Sequence, residues 1–136
     1  MPVELTVNDR GVKLLPDFAY GFVYPQIFPM HKRQSDEAQE ATLAWGKERA
    51  QGWFKILNDH MLAGKNQYLC GEKITIADYF GVSFIALAEV VRSDFASYPN
   101  VKAWVDRMKG LKTWKQVYET IDGYAASLKD APMQTV

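Results

Sequence analysis

The chain has 136 residues, 48% of them hydrophobic, and its 16 lysines and arginines balance 16 aspartates and glutamates. This length suits one domain with an ordinary hydrophobic core. Because the formal net charge is zero, the chain has no excess positive charge to attract nucleic acid or an anionic membrane. We therefore expect neither as a partner.

Cysteine content and the N-terminus indicate the compartment. Cys70 is the single cysteine, so no internal disulfide can form, and a lone thiol fits a reducing environment. The first residues show no basic start followed by an apolar run, and no window of 18 uninterrupted apolar residues exists. We therefore expect a cytoplasmic protein.

The first sixteen residues differ from the rest of the chain. Val3, Leu5 and Val7 alternate with polar residues, and a turn-forming Asn-Asp-Arg-Gly run follows before the alternation resumes. This pattern predicts an extended or hairpin segment over residues 1–16. A lone hairpin is marginal in water, so it needs a neighbour to pack on.

The pattern then becomes helical. Five aromatic residues fall between Phe18 and Met30, and Pro25 and Pro29 interrupt them, so we expect a kinked or two-part helix. Ser35 is a good N-cap for a second helix.

Residues Thr75 and Asp78 have the spacing of a capping box, in which each side chain accepts from the other residue's backbone amide. The helix that follows is almost entirely apolar through Val91, which predicts a central helix buried on all sides.

Two further helices complete the predicted bundle. One starts near Pro99, and the other is expected to begin with a second capping box at Thr113 and Gln116. The fold class is therefore all-α, a bundle of about five to six helices over residues 17–129, with a loose tail over 130–136.

Three segments carry a family resemblance. The run from Tyr68 to Phe80 resembles the glutathione transferase signature ahead of the central helix of that family's C-terminal domain. The segment from Tyr98 to Met108 resembles the family's Pro-Asn-Val segment with its tryptophan. The segment from Tyr24 to Pro29 resembles the first helix of that domain in some bacterial members.

This resemblance also implies what to expect of activity. Glutathione transferases carry a thioredoxin-like domain of some 80 residues that holds glutathione and the catalytic residue. Here only residues 1–16 precede the helical part, and Pro16-Asp17 stands where the family has an acidic-Ser pair. We therefore expect an incomplete glutathione site, no catalytic residue in this chain and little activity alone. No cofactor is implied; glutathione would be a co-substrate.

The resemblance assigns a candidate hydrophobic pocket to Tyr20, Tyr24 and Phe28. Their spacing of four residues places them on one helix face. In the family, this helix lines the pocket for the hydrophobic co-substrate. Two alternatives stay open: the face belongs to the core, or a partner domain covers it.

Other reactive residue types favour structural interpretations. Capping explains Asp78 fully, and Cys70 occupies a small-residue position in the family's loop. Neither His31 nor His60 has ligands at metal spacing, so both are expected at the surface and no metal site is predicted.

Two classes of function follow. In the first, this helical half of a glutathione transferase holds a hydrophobic co-substrate beside a glutathione site that a thioredoxin-like domain supplies. In the alternative, it is a non-catalytic module for protein–protein assembly. Either class predicts an exposed apolar patch and a partner, either a second copy or a thioredoxin-like domain.

Overall fold

The computed structural model describes residues 15–136, and the hairpin expected before them lies outside this range. Five helices and no strands occupy the described residues. Their bounds are Leu15–Val23 continued by Tyr24–Ile27 (α1), Asp36–Ile56 continued by the turn Leu57–Met61 (α2), Ile76–Ile85 continued by Leu87–Val90 (α3), Pro99–Lys109 (α4) and Trp114–Ser127 (α5). The all-α class predicted from sequence is confirmed.

Helix α1 has two parts, as its prolines predict. Its first part winds as a π-helix, and the short α-helical turn after it has Pro25 near its start. Phe28 then leaves the helix with extended backbone angles. A 3-10 turn, Pro29–His31, reverses the chain. The second proline thus ends the helix because it cannot continue the hydrogen-bond ladder.

Helices α1 and α2 pack closely because two glycines meet at their crossing. A Cβ atom built on Gly46 would overlap the Gly21 carbonyl, and one built on Gly21 would lie 2.9 Å from the Trp45 ring. At the start of α2, the Ser35 hydroxyl accepts a hydrogen bond from the Ala38 amide at 3.1 Å, which is the expected N-cap.

The core lies where α1, α2 and the loop before α4 converge. The Phe54 ring contacts the rings of Phe18, Phe95 and Tyr98, at centroid distances of 5.4, 5.9 and 5.5 Å. All three contacts are edge-on or nearly so, the arrangement that aromatic pairs prefer. The core continues through buried aliphatic residues and Trp104.

Helix α4 is capped by a residue distant in sequence. The buried Asn58 side chain accepts hydrogen bonds from the amides of Asn100 at 2.8 Å and Val101 at 3.4 Å. The Asn100 side chain donates in return to the Asn58 carbonyl at 2.9 Å. This exchange satisfies amides that a helix start leaves without partners.

Helix α3 corrects the prediction of a helix buried on all sides. Ala77, Asp78, Val82 and Ile85 are buried. The neighbouring side chains Ile76, Tyr79 and Phe80, here called the α3 stripe, are exposed, and Ile76 keeps 76% of its surface in contact with solvent. An apolar sequence alone therefore did not identify which face of this helix has a neighbour.

The capping box expected at the start of α5 does not form. Thr113 has helical backbone angles, φ −93° and ψ −6°, and its side chain makes no cap hydrogen bond. The amide of Trp114 instead donates to the Leu111 carbonyl at 3.0 Å. A turn of the preceding loop thus takes the place of the side-chain cap.

The C-terminal tail is hydrogen-bonded to the bundle, which differs from the loose tail expected over 130–136. The Gln26 side chain accepts from the Gln134 amide at 2.7 Å and donates to its carbonyl at 3.3 Å. The Ser93 hydroxyl donates to the Val136 carbonyl at 3.1 Å. These contacts are non-local, so no periodic pattern in the tail signals them.

Candidate functional site

Five aromatic side chains meet at one face of the bundle, and we call them the aromatic cluster. Helix α1 and the turn after it supply four, and α5 supplies the fifth. The members are Tyr20, Tyr24, Phe28, His31 and Tyr124.

Ring contacts run through the cluster without a break. Tyr20 meets Tyr24 edge-on at a centroid distance of 4.9 Å, and Tyr24 meets Phe28 at 5.3 Å. The Tyr124 ring lies nearly parallel to that of Phe28, at 6.2 Å and 18°. The structure therefore brings together the three residues singled out in the sequence and adds a ring from another helix.

The imidazole of His31 lies within the cluster. Its centroid is 5.5 Å from those of Tyr20 and Tyr24 and 6.1 Å from that of Phe28. The sequence led us to expect His31 at the surface, and it is instead half-buried. The signal that could have found it is Pro29, because the turn there returns the chain toward the aromatic face of α1.

The cluster is open to solvent on one side. Tyr20 is 47% exposed and Tyr124 is 37% exposed. Tyr24 lies deeper, and burial raises the pKa of its phenol, with a smaller contribution from the negative charge of ionised Tyr20. Tyr24 is therefore a neutral hydrogen-bond donor at neutral pH, and the cluster offers ring faces together with three phenol hydroxyls and one imidazole.

The capping box forms a second arrangement, in which Asp78 is fully buried. One carboxylate oxygen accepts from the Leu69 amide and the Trp104 indole, both at 2.9 Å. The other accepts from the Thr75 amide at 2.8 Å and the Thr75 hydroxyl at 3.3 Å. Four donors surround a carboxylate that no solvent reaches, so the geometry fits a structural role. No local pattern in the sequence signals the contacts with Leu69 and Trp104.

The remaining reactive side chains form no cluster. Cys70 is exposed, and its sulfur lies 3.4 Å from the Thr75 hydroxyl. His60 is exposed near the end of α2. Among residues 15–136, no three His, Cys, Asp or Glu side chains lie together as metal ligands would.

The described residues thus form an all-helical bundle with a Thr-Asp capping box at the start of its third helix and an aromatic face on its first. The sequence model of the family described as glutathione S-transferase, C-terminal domain, matches residues 18–112. The chain belongs to this family. The match includes the capping box and most of the aromatic cluster, and Tyr124 lies beyond it.

No solved structure matches the chain significantly. Within the part of the chain that the structure describes, no helix is both long enough and apolar enough to cross a membrane.

Proposed function

We propose that this domain binds a hydrophobic, electrophilic co-substrate on the aromatic cluster, beside a glutathione site that a thioredoxin-like domain supplies. The observation that carries the proposal is the cluster itself. Five rings in continuous contact leave Tyr20 and Tyr124 open to solvent.

The cluster suits a flat, apolar ligand for physical reasons. Aromatic rings gain from stacked or edge-on contacts with other rings, beyond the area that they bury. The Tyr20 and Tyr124 rings are exposed enough to accept such a ligand, while Phe28 supports the second of them. The Tyr24 hydroxyl and the His31 imidazole supply the few polar groups that orient a ligand in a mostly apolar site.

The reaction divides between two domains. The partner domain would bind glutathione and lower the pKa of its thiol. The thiolate sulfur would then bond to the electrophilic carbon while the bond from that carbon to its leaving group breaks and the leaving group departs with the electron pair. The residues of this chain would hold that carbon in reach and exclude water from it. The contribution to rate would be positioning, because the cluster offers no charged group to the reacting atoms.

The α3 stripe supports the need for a partner domain. Ile76, Tyr79 and Phe80 expose apolar surface on adjacent turns of one helix. Contiguous apolar surface of this kind marks interaction sites more often than free surface. A thioredoxin-like domain on this face would bury the stripe.

Calorimetric titration with 1,3-dinitrobenzene tests the binding site. This probe is flat and uncharged and carries no halide leaving group, so we expect no arylation of Cys70. Tyr20→Ala should weaken binding by about fivefold or more, because it removes one ring face. Tyr79→Ala is the matched control, since Tyr79 and Tyr20 are exposed almost equally, at 48% and 47%. It should leave the affinity unchanged.

Titration with reduced glutathione is the companion experiment. We expect no heat of binding up to millimolar concentration, because the thioredoxin-like domain would supply that site. Saturable glutathione binding by the chain alone would contradict the claim that a thioredoxin-like domain supplies the glutathione site. Equal loss of dinitrobenzene affinity in Tyr20→Ala and Tyr79→Ala would contradict the choice of site.

The α3 stripe also favours a second candidate, a non-catalytic assembly module. Such a module would hold a partner on the stripe and bind no dinitrobenzene. Light scattering across a concentration series distinguishes the two. Association that Phe80→Lys abolishes, in a chain without affinity for dinitrobenzene, would favour the assembly module.

A further inference from the structure

A cavity of about 390 Å³ opens between α1 and α2, and Tyr20 of the aromatic cluster is part of its lining. We call it the Arg33 pocket. Within the described part of the chain, its walls combine aromatic rings with one cation and no carboxylate. The residues that the argument uses are Tyr20, Gly21, Arg33, Ala41, Thr42 and Trp45.

The backbone of Arg33 is held by a side chain of α2. The Gln39 side chain accepts from the Arg33 amide at 2.9 Å and donates to the Pro25 carbonyl at 2.8 Å. It thus clamps the turn that follows α1. The position of Arg33 beside the pocket is fixed by this clamp and does not depend on a ligand.

The side chain of Arg33 is held at one nitrogen by α2. Its Nε donates to the Thr42 hydroxyl at 3.3 Å, and that hydroxyl donates in turn to the Ala38 carbonyl at 2.8 Å. Among residues 16–136, neither terminal nitrogen of Arg33 has a hydrogen-bond or ion-pair partner. The fork of donors that recognises a carboxylate at two points is therefore available.

Aromatic and small residues make up most of the pocket lining. Trp45 is 50% exposed, and its ring rests against the backbone of α1 at Gly21, where a Cβ would lie 2.9 Å away. Tyr20 provides an exposed ring on the α1 side, and Ala41 leaves room beside Trp45. The volume lies within the range of about 300–1,000 Å³ typical of small-molecule sites.

We propose that the Arg33 pocket is a binding site for a small aromatic carboxylate, whose ring packs on Trp45 and whose anion pairs with the Arg33 guanidinium. This site goes beyond the proposed co-substrate site, because it lies between α1 and α2 and selects for negative charge. Among residues 15–136, no acidic residue lines the pocket, and this favours an anion.

The test compares a charged and a neutral ligand of the same ring system. Calorimetric titrations would measure the affinities of 2-naphthoate and 2-naphthalenemethanol for the full chain. We expect 2-naphthoate to bind roughly tenfold more tightly, because charge-assisted hydrogen bonds are the stronger ones. Arg33→Gln should reduce the ratio of the 2-naphthoate affinity to the 2-naphthalenemethanol affinity to about one. Arg33→Lys should give an intermediate ratio, because a lysine cannot bind a carboxylate at two points.

Two further variants locate the ring and control for charge. Trp45→Ala should weaken both ligands by a similar factor, since it removes the stacking surface. Lys55→Gln removes one positive charge from the exposed side of the same helix and should leave both affinities unchanged. Circular dichroism would check that each variant folds.

Three outcomes would overturn this proposal. They are no measurable binding of 2-naphthoate at millimolar concentration, an unchanged preference for 2-naphthoate in Arg33→Gln, or a preference for 2-naphthoate that disappears in Lys55→Gln. None of them bears on dinitrobenzene binding. If Tyr20→Ala leaves the dinitrobenzene affinity unchanged while the preference for naphthoate depends on Arg33, the co-substrate site is wrong and the Arg33 pocket stands.

Discussion

Two regions combine aromatic rings with polar groups: the buried site of Asp78 and Trp104, here called the Asp78 corner, and the aromatic cluster. Their surroundings differ. At the corner, Trp104 and Asp78 are fully buried, and four donors satisfy the carboxylate. In the cluster, the rings of Tyr20 and Tyr124 remain open to solvent. A buried and saturated arrangement stabilises the fold, whereas an open arrangement keeps surface available for a ligand.

The largest expected effect is at the corner. Asp78→Ala removes the acceptor for the Leu69 and Thr75 amides and the Trp104 indole. Buried donors without partners are costly, so the free energy of unfolding should fall by about 3 kcal/mol or more. Urea unfolding followed by circular dichroism measures it. The exposed Asp122→Ala on α5 should change stability by less than about 0.5 kcal/mol. Equal unfolding midpoints for the two variants would contradict the structural role of Asp78.

The next effect concerns the contact that holds the aromatic helix in place. Gly46→Ala puts a Cβ onto the Gly21 carbonyl, so α1 and α2 must separate, at a cost of about 1–3 kcal/mol. Gly52→Ala on the same helix meets nothing within 4 Å and should stabilise by about 0.5–1 kcal/mol. Thermal unfolding should therefore show shifts of opposite sign. Two shifts of the same sign would mean that the glycine crossing does not determine the packing.

A smaller loss is expected at the cap of α4. Asn58→Ala leaves the amides of Asn100 and Val101 without their acceptor and should cost about 1–2 kcal/mol. Asn66→Ala, which removes an exposed hydrogen bond to the Met61 carbonyl, should cost less than about 0.5 kcal/mol. Chemical denaturation would measure the free energy of unfolding of both variants. Because each change removes one asparagine side chain, the difference between them reports the effect of burying the hydrogen bonds. A greater loss of unfolding free energy in Asn66→Ala than in Asn58→Ala would contradict the role of Asn58 as the cap of α4.

The smallest effect is a pH dependence within the aromatic cluster. Burial and then the charge of Tyr20 raise the pKa of Tyr24 above its ordinary value of 10.0. Its neutral form is favoured in the folded state, so its stabilising contribution is complete below pH 10. The contribution declines as pH rises from 10 through the folded pKa, because the unfolded chain ionises first. Tyrosinate absorbance should lose one late step in Tyr24→Phe.

Tyr20→Phe gives a control for the cause of that shift. It removes the neighbouring charge, so Tyr24 should titrate at a lower pH than in the parent chain. Tyr98→Phe should remove a separate late step, because burial raises the pKa of Tyr98 as well. A Tyr24 titration unaffected by Tyr20→Phe would leave burial as the whole cause.

The sequence revealed local features better than distant ones. The Thr75–Asp78 pair and the Ser35 cap could be inferred because capping depends on residues three positions apart. The partnership of Asp78 with Trp104 could not, because it joins residues 26 positions apart. The same limit hid the capping of α4 by Asn58.

Exposure was the other quantity that the sequence left open. The apolar sequence of α3 suggested burial on all sides, but whether Ile76 has a neighbour depends on packing and not on composition. Likewise, the spacing of Tyr20, Tyr24 and Phe28 predicted a shared face, while the arrival of His31 and Tyr124 depended on a turn and on α5. Periodicity assigns residues to a face; tertiary packing decides what covers it.

Two-dimensional NMR of the aromatic side chains during titration with 1,3-dinitrobenzene tests the central claim most directly. We predict that the largest chemical-shift changes occur at Tyr20, Tyr24, Phe28, His31 and Tyr124, while the signals of Trp104 and of the α3 stripe stay in place. Changes centred on Tyr79 and Phe80, with none at Tyr20 and Tyr124, would contradict the claim that the aromatic cluster is the binding site.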